Sequence, residues 1–123
     1  MTVFSGTVRA TPDSRIAIIA SRWNPRIIDA LIEGARRGLL EHGMSNDDID
    51  LARVPGAWEI PVLAAQLAKS RNYSAIIALG CVIRGDTRHY EHVADGCADG
   101  LVPKAVQRRV LSLFTRYETF RLM

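Results

Sequence analysis

The chain has 123 residues, 48% of them hydrophobic and 24% charged, which suits one soluble domain around one core and excludes an intrinsically disordered segment. Its longest apolar runs, such as residues 75–79, are far shorter than a membrane span requires. The net charge of +3 is lopsided: residues 103–123 hold five basic side chains and one acid, a balance of +4 against −1 over residues 1–102, so nucleic acid is not the expected partner.

Met1-Thr-Val-Phe-Ser-Gly6 carries no basic region followed by a long apolar stretch, so no secretory signal is expected and the cytoplasm is the expected location. Cys81 and Cys97 fit no zinc-ligand spacing and no disulfide is expected, and Cys81, at the end of an apolar strand, is read as a small buried residue.

Residues 1–14 read as a polar N-terminal arm ending in the turn Thr11-Pro-Asp-Ser14. Arg15–Ser21 contains Ile16-Ala-Ile-Ile-Ala20, a continuous apolar run that suits a strand covered on both faces. Asn24-Pro25 then offers an N-cap and a favoured first helical residue. Ile27, Ile28, Leu31, Ile32, Ala35 and Leu39 recur at helical spacing up to Gly43. Ile49–Val54 predicts a second strand, Glu59–Lys69 a second helix, and Tyr73–Ile83 a third strand. A third helix is predicted from Thr87 or His89 to Leu101. Alternating strands and helices with short connections predict a parallel α/β sheet with helices on both faces.

In such sheets ligands bind beyond the carboxyl ends of the strands, where three motifs fall: Arg22-Trp-Asn24, Pro55-Gly-Ala-Trp-Glu59 and Arg84-Gly-Asp-Thr-Arg-His89. Gly85, Asp86 and Thr87 offer backbone N–H groups and a hydroxyl to a phosphate, with Arg84 and Arg88 alongside. His89, in the first helical turn beside the anion-binding segment, is placed to move protons. Trp23 offers a face to a flat heterocycle, and Glu59 an acceptor for ligand hydroxyls, with Gly56 allowing close backbone approach. Each also has a plain structural role open to it: a common glycine turn, a capping histidine, a core or interface tryptophan, a carboxylate at a helix N-terminus. His92 follows His89 by three residues, but no third ligand is evident and no metal site is expected.

The segments Ala20-Ser-Arg-Trp-Asn24, Gly34-Ala35, Val54-Pro-Gly-Ala-Trp-Glu-Ile-Pro61 and Ala78-Leu-Gly-Cys-Val-Ile-Arg-Gly-Asp-Thr-Arg-His-Tyr90 resemble the lumazine synthase family of riboflavin biosynthesis, in register from about Ser14 to Leu101. The resemblance implies a three-layer αβα sandwich with a parallel, flavodoxin-like sheet. It implies condensation of 5-amino-6-ribitylaminouracil with 3,4-dihydroxy-2-butanone 4-phosphate to 6,7-dimethyl-8-ribityllumazine, without metal or organic cofactor. It also implies a homopentamer or a multiple of one, with sites between neighbours. By the family pattern, Trp23 takes the aromatic stacking position, Asn24 beside it belongs to the substrate-binding set, and Ala57, Trp58 and Glu59 meet the ribityl chain. Cys81, Val82 and Ile83 meet the pyrimidine largely through backbone; Gly85, Asp86 and Thr87 hold the phosphate, and His89 transfers protons. Two other readings stand beside this one: a non-catalytic lumazine- or flavin-binding or truncated homologue, and an RNA- or protein-interaction module acting through the basic tail.

After Leu101 the family pattern lapses, so residues 15–102 read as the α/β domain and 103–123 as a divergent tail. The fourth strand and last helix are expected to be altered or missing in this shortened C-terminus, with loss of a basic phosphate contact and an exposed sheet edge. Val110–Thr115 offers a replacement strand that would bring Phe114 near the family's neighbour-site ring position. Val106, Val110, Phe114 and Tyr117 offer instead a basic amphipathic helix, and the spacing slightly favours the helix.

Overall fold

In the computed structural model the backbone is described for residues 1–108 and 110–118, and side chains for residues 1–101. Among the described residues four strands, β1 (Ile16–Ser21), β2 (Ile49–Val54), β3 (Ala75–Arg84) and β4 (Val110–Glu118), form one sheet in the order β2-β1-β3-β4, with every neighbouring pair parallel. Three α-helices among the described residues, α1 (Pro25–Glu41), α2 (Ile60–Ser70) and α3 (His89–Arg108), alternate with the strands. This is the α/β flavodoxin-like architecture expected from the sequence.

The unbroken apolar runs in β1 and β3 are explained by burial on both faces. On one face Ala17 and Ile19 of β1 and Ile76, Ala78 and Val82 of β3 pack with Ile60 and Ala64 of α2 and with Tyr90, Cys97 and Leu101 of α3. On the other, Ile18, Ala20, Leu79 and Cys81 pack against Ile28, Leu31, Ile32 and Ala35 of α1. Period-two alternation along each strand thus feeds two separate cores. Where α1 ends, Gly43 takes a left-handed φ of 98°, and its N–H donates to Leu40 O at 3.2 Å.

The structure departs from two expectations. The third helix does not stop at Leu101 but continues through Pro103 to Arg108. The tail from Val110 is not a helix, nor is a fourth strand missing: β4 pairs with β3 from Ile76↔Val110 to Arg84↔Glu118. The physical reason is the β3 edge. A helix there would leave a row of β3 amides and carbonyls without partners, whereas a strand of Val, Leu, Phe, Thr and Tyr satisfies them and suits extended backbone.

Candidate active site

The carboxyl ends of β1, β2 and β3 open into one cavity of about 700 Å³. Trp23 and Asn24 follow β1, and Gly56, Ala57, Trp58 and Glu59 follow β2. Cys81, Val82 and Ile83 end β3, while His89, Tyr90, His92 and Val93 line the first turns of α3. The walls are mostly apolar or aromatic with a few polar groups, as ligand cavities commonly are.

The β1 loop is tied across the sheet. Arg22 N–H donates to Val54 O at 2.8 Å, joining the ends of β1 and β2. Asn24 adopts a left-handed backbone (φ 61°, ψ 59°), which asparagine tolerates better than most residues. Its carbonyl accepts from Ile27 N–H and Ile28 N–H and so starts α1. The expected side-chain cap is absent; its Nδ2 amide instead faces Cys81 O at 3.5 Å, linking the ends of β1 and β3.

The β2 loop closes into a short 3-10 turn, Ala57–Glu59, before α2. Glu59 Oε2 accepts the Gly56 N–H at 2.9 Å, the reciprocal arm of a capping box. The structural role open to Glu59 in the sequence is therefore real, and its carboxylate also stands on the cavity wall. Ala57 is buried in the core, while Trp58 is 59% exposed. Trp23, 70% exposed, presents a second large ring at the mouth.

At the end of β3 the Cys81 side chain packs in the α1-side core, where burial pushes its thiol pKa up. Arg84 lies over the Tyr90 ring at 5.7 Å from its centroid. Gly85, Asp86 and Thr87 are exposed in the connection to α3 and stand outside the cavity lining. Thr87 Oγ1 accepts the His89 N–H at 3.4 Å, bracing the start of the helix. His89 is the first residue of α3, as its motif implies.

Nine residues singled out in the sequence, Trp23, Asn24, Ala57, Trp58, Glu59, Cys81, Val82, Ile83 and His89, are thus brought together in one cavity. Tyr90 and Val93 were not singled out as lining residues; helical spacing from His89 carries the signal for Val93, four positions on. His92 also lines the cavity, but among the described residues no group of three or more His, Cys, Asp or Glu side chains is placed to hold a metal ion. Phe114 pairs with Gly80 through its backbone, and its side chain lies outside those described.

Residues 13–115 match the family model described as 6,7-dimethyl-8-ribityllumazine synthase. The matched stretch takes in the first part of β4, well beyond the point where the resemblance was expected to lapse. A protein of Xanthomonas oryzae pv. oryzae named 6,7-dimethyl-8-ribityllumazine synthase is 60% identical over 110 residues, covering 89% of this chain and 71% of the relative. A protein of the same name from Xanthomonas euvesicatoria pv. vesicatoria is 59% identical over the same shares. Another from Stenotrophomonas maltophilia is 56% identical over 102 residues, 83% of this chain and 66% of the relative. With the parallel sheet, the carboxyl-end cavity and identity at this level in agreement, the chain belongs to the 6,7-dimethyl-8-ribityllumazine synthase family.

Proposed function

We propose that this chain condenses 5-amino-6-ribitylaminouracil with 3,4-dihydroxy-2-butanone 4-phosphate to give 6,7-dimethyl-8-ribityllumazine, phosphate and water. The observation that carries the reading is the convergence of Trp23 and Asn24, of Ala57, Trp58 and Glu59, and of residues 81–83 with His89 on one cavity within a chain of this family. The amine forms an imine with the ketone, phosphate is eliminated, and the ring closes. Trp23 stacks on the heterocycle, and the ribityl hydroxyls lie along Ala57, Trp58 and Glu59. The pyrimidine meets the backbone of residues 81–83. Glu59 is supported in this role because its bond to Gly56 fixes the carboxylate on the wall.

The phosphate goes to Gly85, Asp86 and Thr87, at the start of α3 with Arg84 and Arg88 in the same segment. His89 stands between that segment and the cavity and transfers protons. Holding two reactive molecules together supplies most of the acceleration, and proton transfer a smaller share. No metal or organic cofactor is required by these steps.

The working form is a homopentamer or a multiple of one, in the cytoplasm. The exposure of both cavity tryptophans supports sites completed by a neighbour, and no described helix is long and apolar enough to cross a membrane. The test is lumazine formation by the purified chain, followed by product fluorescence, with mass in solution measured on the same sample. Turnover by a pentamer-sized species supports the reading; a folded chain without turnover overturns it.

A further inference from the structure

Trp58 owes its place on the cavity wall to a residue that the wall does not include. A Cβ on Gly96 of α3 would overlap Trp58 Cζ3 and lie 3.1 Å from both Cε3 and Cη2. The six-membered ring of Trp58 therefore rests directly on the helix backbone at Gly96. One turn further on, a Cβ on Gly100 would lie 2.8 Å from Cβ and Cγ of Pro61. The two glycines let α3 approach the β2 loop and α2 closely, but what they touch differs. Pro61 is a rigid ring in the first turn of α2. Trp58 is a side chain with two rotatable bonds, 59% exposed.

We infer that Gly96 is a positioning residue for the proposed reaction, setting the rotamer of Trp58 and with it the wall against which the ribityl chain lies. The inference rests on the lumazine synthase reading for its kinetic consequence, but not for its geometry. An alanine at position 96 displaces the ring rather than the helix, because swinging an exposed side chain costs less than moving packed backbone. The effect falls on substrate binding more than on stability. At position 100 the same change presses on proline, and the effect falls on stability.

The chain has two tryptophans, so Trp23→Phe leaves Trp58 as the only indole. In that background Gly96→Ala is expected to shift the emission to the red and increase quenching by acrylamide, while Gly100→Ala leaves both close to their starting values. With Trp23 restored, Gly96→Ala is expected to raise KM for the ribitylaminouracil roughly tenfold, with a smaller change in kcat and a melting temperature near that of the parent. Gly100→Ala is expected to lower the melting temperature and leave KM near the parent value. Trp58→Phe removes the outermost ring atoms, so adding Gly96→Ala to it is expected to bring little further rise in KM. Unchanged Trp58 emission in Gly96→Ala overturns the inference, as does an equal KM penalty with and without Trp58→Phe. A parent chain that shows no turnover defeats the reading of the reaction instead, and the emission comparison still decides whether Gly96 seats the ring.

Discussion

Glu59 joins the fold to the site, and its replacement separates the two roles. Its Oε2 accepts the Gly56 N–H at 2.9 Å at the start of the 3-10 turn that leads into α2. Glu59→Ala removes that acceptor and leaves a helix-start N–H without its protein partner. Loss of such a bond in an exposed capping position costs about 1 kcal/mol. For a chain of this size that lowers Tm by about 4 °C. Glu59→Gln keeps an oxygen able to accept from Gly56 and loses the negative charge, so most of that stability is retained. The same glutamine is a weaker acceptor for ribityl hydroxyls than the carboxylate, and KM for the ribitylaminouracil rises in both variants. Thermal unfolding and steady-state kinetics on the three proteins give the comparison. Equal Tm in all three would refute the capping argument. An unchanged KM in Glu59→Ala would refute the carboxylate's role on the wall.

His89→Ala is expected to reduce lumazine formation about 100-fold while leaving measurable turnover, and complete loss in a folded, substrate-binding variant would contradict the division between proximity and proton transfer. At the opposite end of the sheet, the Tyr73 hydroxyl donates to Asp50 Oδ2 at 2.6 Å, and Arg15 Nη2 donates to both Asp50 oxygens. Tyr73 first and Arg15 second hold the Asp50 carboxyl below its ordinary value of 3.8. Stability from this cluster is therefore complete above that value and lost as pH falls through the lower folded one. Accordingly, the stability difference between wild type and Tyr73→Phe, measured by urea unfolding, should narrow below pH 3.8; a difference that widens there would reverse the sign. Cys97 is fully buried, and desolvation pushes its thiol up to about 11. It should resist a thiol reagent at pH 8 in the folded protein and react once unfolded, and rapid labelling of Cys97 in native Cys81→Ser protein would contradict its burial.

The strands were legible because burial on two faces leaves an unbroken apolar run, as in Ile16-Ala-Ile-Ile-Ala20, and α1 because its apolar residues recur at helical spacing. The β2 boundaries, Ile49–Val54, coincide with those expected. The tail was not legible because its residues satisfy two periods at once. Val106, Val110, Phe114 and Tyr117 fit a helix, and what decides against it is the long edge of β3, a partner distant in sequence. Asn24 was read as a side-chain cap, yet its left-handed backbone turns the amide toward Cys81, a residue brought close only by strand pairing. Of the cavity, the three loops were visible as motifs at strand ends. Beyond His89, α3 was only partly legible: His92 stood out as a histidine and Val93 follows from helical spacing, whereas Tyr90 carries no lining signal of its own. The seat of Trp58 on Gly96 joins residues with no local relation at all.

The most direct test of the central claim is a crystal structure of the chain with 6,7-dimethyl-8-ribityllumazine bound. The ring system is expected against Trp23 and the backbone of residues 81–83, with the ribityl chain running along Trp58 and Glu59. A product molecule bound elsewhere, with this cavity empty at saturating concentration, would contradict it.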